Sequence, residues 1–488
     1  MRIINRNDIK NFILKIENDY PVDKWKIDDI DIWPIIRIKL YFLLISATES
    51  SFKKKEAITN DKVENHSIVH RIRTHRKTKR LKAWFKLIQL NKVDFLFGTA
   101  YSHRANYNNK SYNKFADPLM DEKKNNSIVI EHSPSNLYNL DNLYKKKRIS
   151  FLYDFLDFTI YSEKRKERLT QKMNFTLPEY ENFLSLLNSE KTISSKIQQF
   201  KIEALKTLIC RFHDFEETYI EIIKRTRPKV VFTVCYYNFT ATVLNYVANK
   251  NNIKTIEIQH GPQSDIHMAY SLWSKIPDPG YNTLPKTFWN WDEYSHQIIK
   301  KWANKPLQHN SFIGGNPWID FFKQNQQKER KRILYSLQPL HFDLLFPDYL
   351  IEIIKNTPNS EWWFRLHPGQ LDSLNEIESF LALKKIKHLV NINEATKIPL
   401  PEILSQTKIH ITNFSGCTLE AVQYNIPTII INRLGADTFQ EIINEKKAFY
   451  ISEKNELNEK LNTLINSSQQ MYHSKKSANY KQVIGKLL

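Results

Sequence analysis

The stretch KVVFTVCYYNFTATVLNYVANKNNIKTIEIQHG, Lys229–Gly261, decides the fold. KVVFTV, Lys229–Val234, is a short run of β-branched and aromatic residues, the pattern of a strand buried on both faces. A helical segment carrying Val243, Leu244 and Val247 follows. TIEIQHG, Thr255–Gly261, is a second strand and ends in polar residues. Strand, helix and strand in this order predict a parallel pair joined by a crossover helix.

The same alternation extends outward on both sides. VDFLFGT, Val93–Thr99, and SIVIEHS, Ser127–Ser133, read as earlier strands. KTFWNW, Lys286–Trp291, and SFIGG, Ser311–Gly315, read as later ones. The polar run KQNQQKERK at 323–331 reads as a linker. A second alternating half then begins at RILYSLQ, Arg332–Gln338, and continues through EWWFRLHP, KHLVNI, KIHITNFSG and TIIINR. LEAVQYN, Leu419–Asn425, is the helix between the last two strands. The expected class is α/β. Residues 1–90 form a helical basic region, 91–322 a first Rossmann-like domain with a helical insertion, 323–470 a second, and 471–488 a polar tail.

Of 488 residues, 41% are apolar and 12% aromatic, which excludes a disordered or fibrous chain. Only 9 residues are Gly, which argues against a Gly-rich phosphate loop, and GxxxxGK is absent. Cys210, Cys235 and Cys417 lie far apart with no metal-ligand spacing, which fits a reducing compartment. No signal-peptide order opens the chain. The most apolar window, Trp33–Ala47, is interrupted by Arg37 and Lys39 and falls short of the ~20 residues of a membrane span. A soluble cytoplasmic protein is expected.

Lys plus Arg number 72 against 52 Asp plus Glu, a net charge of +20. The charge is concentrated in His70–Lys86, which holds no acid, and in KKKR, Lys145–Arg148. Such runs are either solvated faces or attract polyanions. Leu81, Trp84, Phe85 and Ile88 share one face, so residues 76–90 predict a basic amphipathic helix that would rest on an anionic inner membrane leaflet. No nucleic-acid recognition module is visible.

In open α/β sheets, ligands bind beyond the carboxyl ends of the strands. Four polar clusters stand at such ends: Gln259-His260-Gly261, Gly314-Gly315-Asn316, Arg365-Leu366-His367-Pro368 and Asn413-Phe414-Ser415-Gly416. They are expected to line one cleft between the halves. Arg365 and His367, two residues apart, would share a strand face and suit a phosphate or diphosphate. Ser415 and Gly416 precede a helix, so they read as an anion site or a plain N-cap. Glu420 either favours the helix dipole or binds ribose hydroxyls. His260 is a candidate general base or a buried structural histidine. Asp29-Ile30-Asp31 precedes a helical stretch and is discounted as a metal site.

QHG, RLHP and SGCTLEAVQYNIPTIII, in this order and spacing, resemble GT-B glycosyltransferases of bacterial capsule and lipopolysaccharide synthesis. The sialyl- and polysialyltransferases, β-Kdo transferases and CDP-glycerol glycerophosphotransferases are the similar groups. The resemblance spans about residues 229–450. It implies two Rossmann-like domains facing across a cleft and transfer of a sugar without metal or other cofactor. His367 with Pro368, and Ser415 with Thr418, would hold nucleotide phosphate. Arg365, Gly416, Glu420 and Gly315 complete the donor set, and His260 would act in catalysis. Asp117 in FADPLMDE is the alternative base. Gln259 stands where the glycerophosphotransferases have Trp, and Asn425 where Gly is common. The implied partners are a nucleotide-sugar and a glycan or lipid-linked glycan of the cell envelope, without nucleic acid. Transfer of a polyol phosphate from a CDP donor and a non-catalytic glycan- or nucleotide-binding component are the rival readings.

Overall fold

The computed structural model describes residues 3–49, 72–121, 126–156, 170–305, 308–323, 329–467 and 480–485. Two parallel sheets organise the chain. The first contains β1 (Phe95–Thr99), β2 (Ser127–Glu131), β3 (Ile149–Phe151), β4 (Val230–Val234), β5 (Lys254–Ile258), β6 (Thr287–Asn290) and β7 (Asn310–Ile313). Its spatial order is β7-β6-β5-β4-β1-β2-β3. The second contains β8 (Arg332–Ser336), β9 (Glu361–Arg365), β10 (Val390–Asn391), β11 (Thr407–Thr412), β12 (Thr428–Ile430) and β13 (Ala448–Tyr450), in the order β10-β9-β8-β11-β12-β13. Both sheets have the doubly wound Rossmann order. The order reverses between β1 and β4 in one half and between β8 and β11 in the other. A crevice opens at the carboxyl ends of strands at such a reversal.

The pairs at these positions follow from their sequences. All five residues of β4 are buried, so a continuous apolar run is required there. The crossover helix Phe239–Lys250 starts where the Asn238 side chain accepts the Thr240 N–H. Buried Val243, Leu244 and Val247 face the sheet. β5 then returns parallel to β4, Ile256 opposite Phe232.

The N-terminal helices Arg6–Asp19 and Trp33–Thr48 pack into the same apolar core as β1 and β4. The Trp33–Ala47 window is therefore a buried core helix. Its Arg37 is fully buried, with Nε 2.8 Å from Glu17 Oε1 and the guanidinium 4.0 Å over the Trp273 ring. Trp33 Nε1 donates to the same carboxylate at 3.0 Å, and the Ser274 N–H and hydroxyl donate at 2.9 and 2.7 Å. Among the described residues no helix is long and apolar enough to cross a membrane.

A second apolar cluster joins the halves. Phe95, Phe232 and Trp289 from one side meet Leu419, Ile430 and Phe439 from the other. Tyr480 and Ile484 of the last described helix, Tyr480–Gly485, belong to this cluster. That helix packs on Asp117–Asp121 in the first half, so the chain passes between the halves twice.

Candidate functional site

The loop after β5 is pinned from below. Gln259 is buried; its Nε2 donates to Ser295 Oγ at 2.8 Å and Gly261 O at 3.0 Å, and its Oε1 accepts the Trp291 N–H at 2.7 Å. This holds His260 toward the cleft, 22% exposed. Its Nε2 faces the Tyr237 hydroxyl at 3.3 Å and its Nδ1 the Tyr270 hydroxyl at 3.4 Å. Tyr270 donates onward to Glu257 Oε1 at 2.7 Å. Glu257 is fully buried and its Oε2 has no hydrogen-bond partner among the described residues. Burial pushes this carboxyl up to about 8, so it carries a proton at neutral pH. His260 is pushed down to about 4, first by burial and then by the Lys114 charge. Its imidazole is neutral.

Lys114 comes from a hairpin that rises beyond the end of β1. Arg104–Tyr107 pairs antiparallel with Lys110–Asn113 around Asn108 and Asn109, both at positive φ. Two left-handed residues are what a two-residue hairpin turn needs. The hairpin base sets His103 beside Lys114, whose N–H donates to His103 O at 3.0 Å. His103 Nδ1 accepts the Ala100 N–H at 3.0 Å. Burial lowers its pKa well below the usual histidine value, and the charge of Lys114 adds to this.

The second half supplies the opposite wall. The Lys114 ammonium is desolvated, which lowers its pKa, and Glu420 is the largest opposing charge on it. Glu420 is pushed up to about 7 by burial, against the pull of Lys114 and Arg365. Among the described residues, neither Lys114 nor Glu420 has an ion pair or a side-chain hydrogen bond. Arg365 Nη1 donates to Ala395 O at 2.6 Å and Ile398 O at 2.7 Å, which fixes the guanidinium, and Cys417 and Glu420 are the groups acting on its charge. Two cations and one carboxyl thus converge from opposite halves. A Cβ on Gly416 would lie 3.1 Å from Pro262 Cδ, so the turns after β11 and β5 touch.

The remaining expected residues have more local roles. β9 stops at Arg365, and His367 starts a turn in which its Nδ1 accepts the Gly369 N–H at 3.0 Å. Arg365 and His367 therefore do not share a strand face. Ser415 Oγ accepts the Cys417 N–H at 3.2 Å, one residue ahead of the helix N-cap, which is Gly416. Thr418 is fully buried, and its hydroxyl lacks a hydrogen-bond partner among the described residues.

Two expectations need correction. Gly315 lies buried at φ +79, and its carbonyl accepts Trp289 Nε1 at 2.8 Å. A Cβ on neighbouring Gly314 would sit 2.1 Å from the same indole, so this turn is small to admit Trp289, not a ligand. Asp117 is buried and accepts the Asn113 N–H through Oδ2 at 2.6 Å, tying the hairpin to the Asp117–Asp121 helix. Its carboxyl is pushed up to about 7 by burial; the charges acting on it are Arg104, Asp121 and Lys145, none from the cleft set. Asp31 Oδ2 accepts the Asn282 N–H at 2.7 Å and Asp31 pairs with Lys26 in a small antiparallel sheet, with Asp29 in its turn.

Sequence reasoning missed His103 and Lys114. The available signal was RANY and KSYN flanking Asn-Asn, a hairpin pattern beside the β1 carboxyl end.

No family model and no curated protein matches the chain. Solved structures do. The UDP-GlcNAc 2-epimerase from Neisseria meningitidis bound to UDP-GlcNAc superposes with a TM-score of 0.50 at 14% identity, over 80% of this chain and 98% of that one. The UDP-GlcNAc 2-epimerase from Methanocaldococcus jannaschii gives 0.46 at 12%, over 80% and 99%. Medicago truncatula UGT71G1 complexed with UDP-glucose gives 0.43 at 11%, over 81% and 98%. At such identities the likeness is one of fold, and with both sheets in doubly wound order that fold is GT-B.

Proposed function

We propose that this chain is an enzyme acting on a nucleotide-activated sugar, and that it transfers the sugar to a surface-glycan acceptor. The observation that carries the reading is the contact of the turn at Gly416 with Pro262, which brings the halves together where the charges of Lys114 and Arg365 act on Glu420, with neither Lys114 nor Glu420 in an ion pair among the described residues. A diphosphate between the halves would satisfy both cations, and such fixed charges stabilise a departing phosphate without a metal. The ribose would approach Glu420 and the turn at Ser415 and Thr418, with His367 at the rim. The acceptor would lie on the first half, where the neutral His260 imidazole takes the hydroxyl proton. Lys114 is one cause of the low His260 pKa. A bound diphosphate offsets that charge and raises the imidazole toward the range useful for a general base.

The test is thermal shift with UDP-GlcNAc, UDP, CMP, CDP and GDP, on wild type and Lys114→Met. A ligand at a hundredfold excess over its Kd stabilises by about 2.7 kcal/mol. One nucleotide should shift wild type and lose most of its effect in the variant. Absence of any shift would remove the reading in favour of a glycan-binding protein. Incubating the binding sugar nucleotide alone then separates chemistries: conversion to its C2 epimer without acceptor would replace transfer by epimerisation. Phosphorus in a transferred product would select the polyol-phosphate alternative.

A further inference from the structure

We propose that the outward face of the Ile72–Ile88 helix docks on an anionic lipid surface. This goes beyond the transferase reading and does not depend on it. The helix turns Ala83 and Leu87 inward, where they are 1% exposed. Its other side carries Leu81, Trp84, Phe85 and Ile88, exposed by 54, 39, 53 and 41%. The Trp84 and Phe85 rings meet edge to face at 5.2 Å, forming a two-ring wedge. Four large apolar side chains within about two turns of one helix form a contiguous patch, not scattered surface residues.

The chemistry around the patch identifies the occupant. Between Ile72 and Ile88 the sequence has seven Lys and Arg and no Asp or Glu. Arg80, Lys82 and Lys86 are exposed beside the patch. Lys86 lies 2.5 Å from Asp154 and so is partly neutralised. A bilayer with anionic headgroups meets both features at once: aromatic and aliphatic groups enter the headgroup boundary while the cations stay at phosphate level. A nucleic acid would use the cations and leave four apolar side chains in water. A second copy of this face would bring two acid-free cationic helices together.

The full chain is sedimented with phosphatidylcholine vesicles and with vesicles containing phosphatidylcholine and phosphatidylglycerol. Partitioning into the anionic vesicles should exceed that into neutral ones by about tenfold or more, and fall as salt is raised past the point where the Debye length drops below about 8 Å. The double variant Trp84→Ser, Phe85→Ser should lose about tenfold while its melting temperature and its nucleotide-induced shift stay those of wild type. Lys82→Glu should weaken binding to anionic vesicles alone. Equal partitioning into both vesicles, or wild-type binding by the double variant, would overturn the proposal. So would a concentration-dependent dimer abolished by the same double variant, or binding of a DNA duplex that the double variant leaves intact.

Discussion

Acid should unfold this protein through histidines that fold without their proton, and His410 offers a clean handle on the effect. It is fully buried in β11, with Nε2 2.9 Å from Ser336 Oγ and Nδ1 3.2 Å from Thr428 Oγ1. Burial pushes its pKa down to about 3. An unfolded histidine binds a proton below about 6.5 while the folded one stays neutral, so the stability present above that pH is lost as pH falls. Each such group costs about 1.4 kcal/mol per pH unit. His132, His267 and His309 are held at about 3 and His260 at about 4, in each case chiefly by burial. Three carboxyls work the other way. Asp117, Glu257 and Glu420, raised by burial to about 7, 8 and 7, keep protons that the unfolded chain has released above about pH 5, so their contribution grows as pH falls. Between roughly pH 6 and 5, His410→Gln should lower the slope of stability against pH by about 1.4 kcal/mol per unit, whatever its cost at neutral pH. Urea midpoints at intervals through this window measure both slopes. Parallel curves for wild type and variant would refute the assignment of His410 as a neutral buried group.

Arg37→Met strands the fully buried Glu17 carboxylate and should cost about 3–5 kcal/mol; adding Glu17→Gln should recover part of this in urea denaturation. Gly314→Ala, whose Cβ would meet the Trp289 ring at 2.1 Å, should cost at least about 1–3 kcal/mol and lower the melting temperature. If a diphosphate settles beside Glu420, its charge will hold the proton on that carboxyl, so nucleotide binding should tighten from pH 8 to 6, and Glu420→Gln should flatten this dependence in titration calorimetry.

The central strands were legible because their sequences permit one reading. VVFTV and TKIHIT are too short for helices and rich in β-branched residues. The edge strands Ile149–Phe151 and Ala448–Tyr450 escaped notice because three residues carry no period and, unlike Thr428–Ile430, they are not a run of β-branched residues. The sheet joining Lys26–Ile27 to Phe175–Thr176 pairs residues distant in the chain, which local pattern cannot reveal. The site shows the same divide. His260 and Arg365 stood out because each ends a readable strand. Lys114 looked like any other lysine, since its importance comes from desolvation between two halves. Asp117 misled for the opposite reason: an acid soon after a strand looks poised for a substrate, whereas its carboxylate closes a turn through the Asn113 N–H.

The apolar cluster between the halves has a consequence for how mutations will read. Leu419 belongs to that cluster and immediately precedes Glu420. The spacing between Glu420 and Lys114 is therefore inherited from a greasy seam, bound on one side by the Tyr480–Gly485 helix, and not from any direct bond between the two side chains. Trimming Leu419 to Ala would let the walls settle at a different separation. Such a variant would register as a binding defect though the altered atom touches no ligand, and seam positions would mimic contact residues in any functional screen.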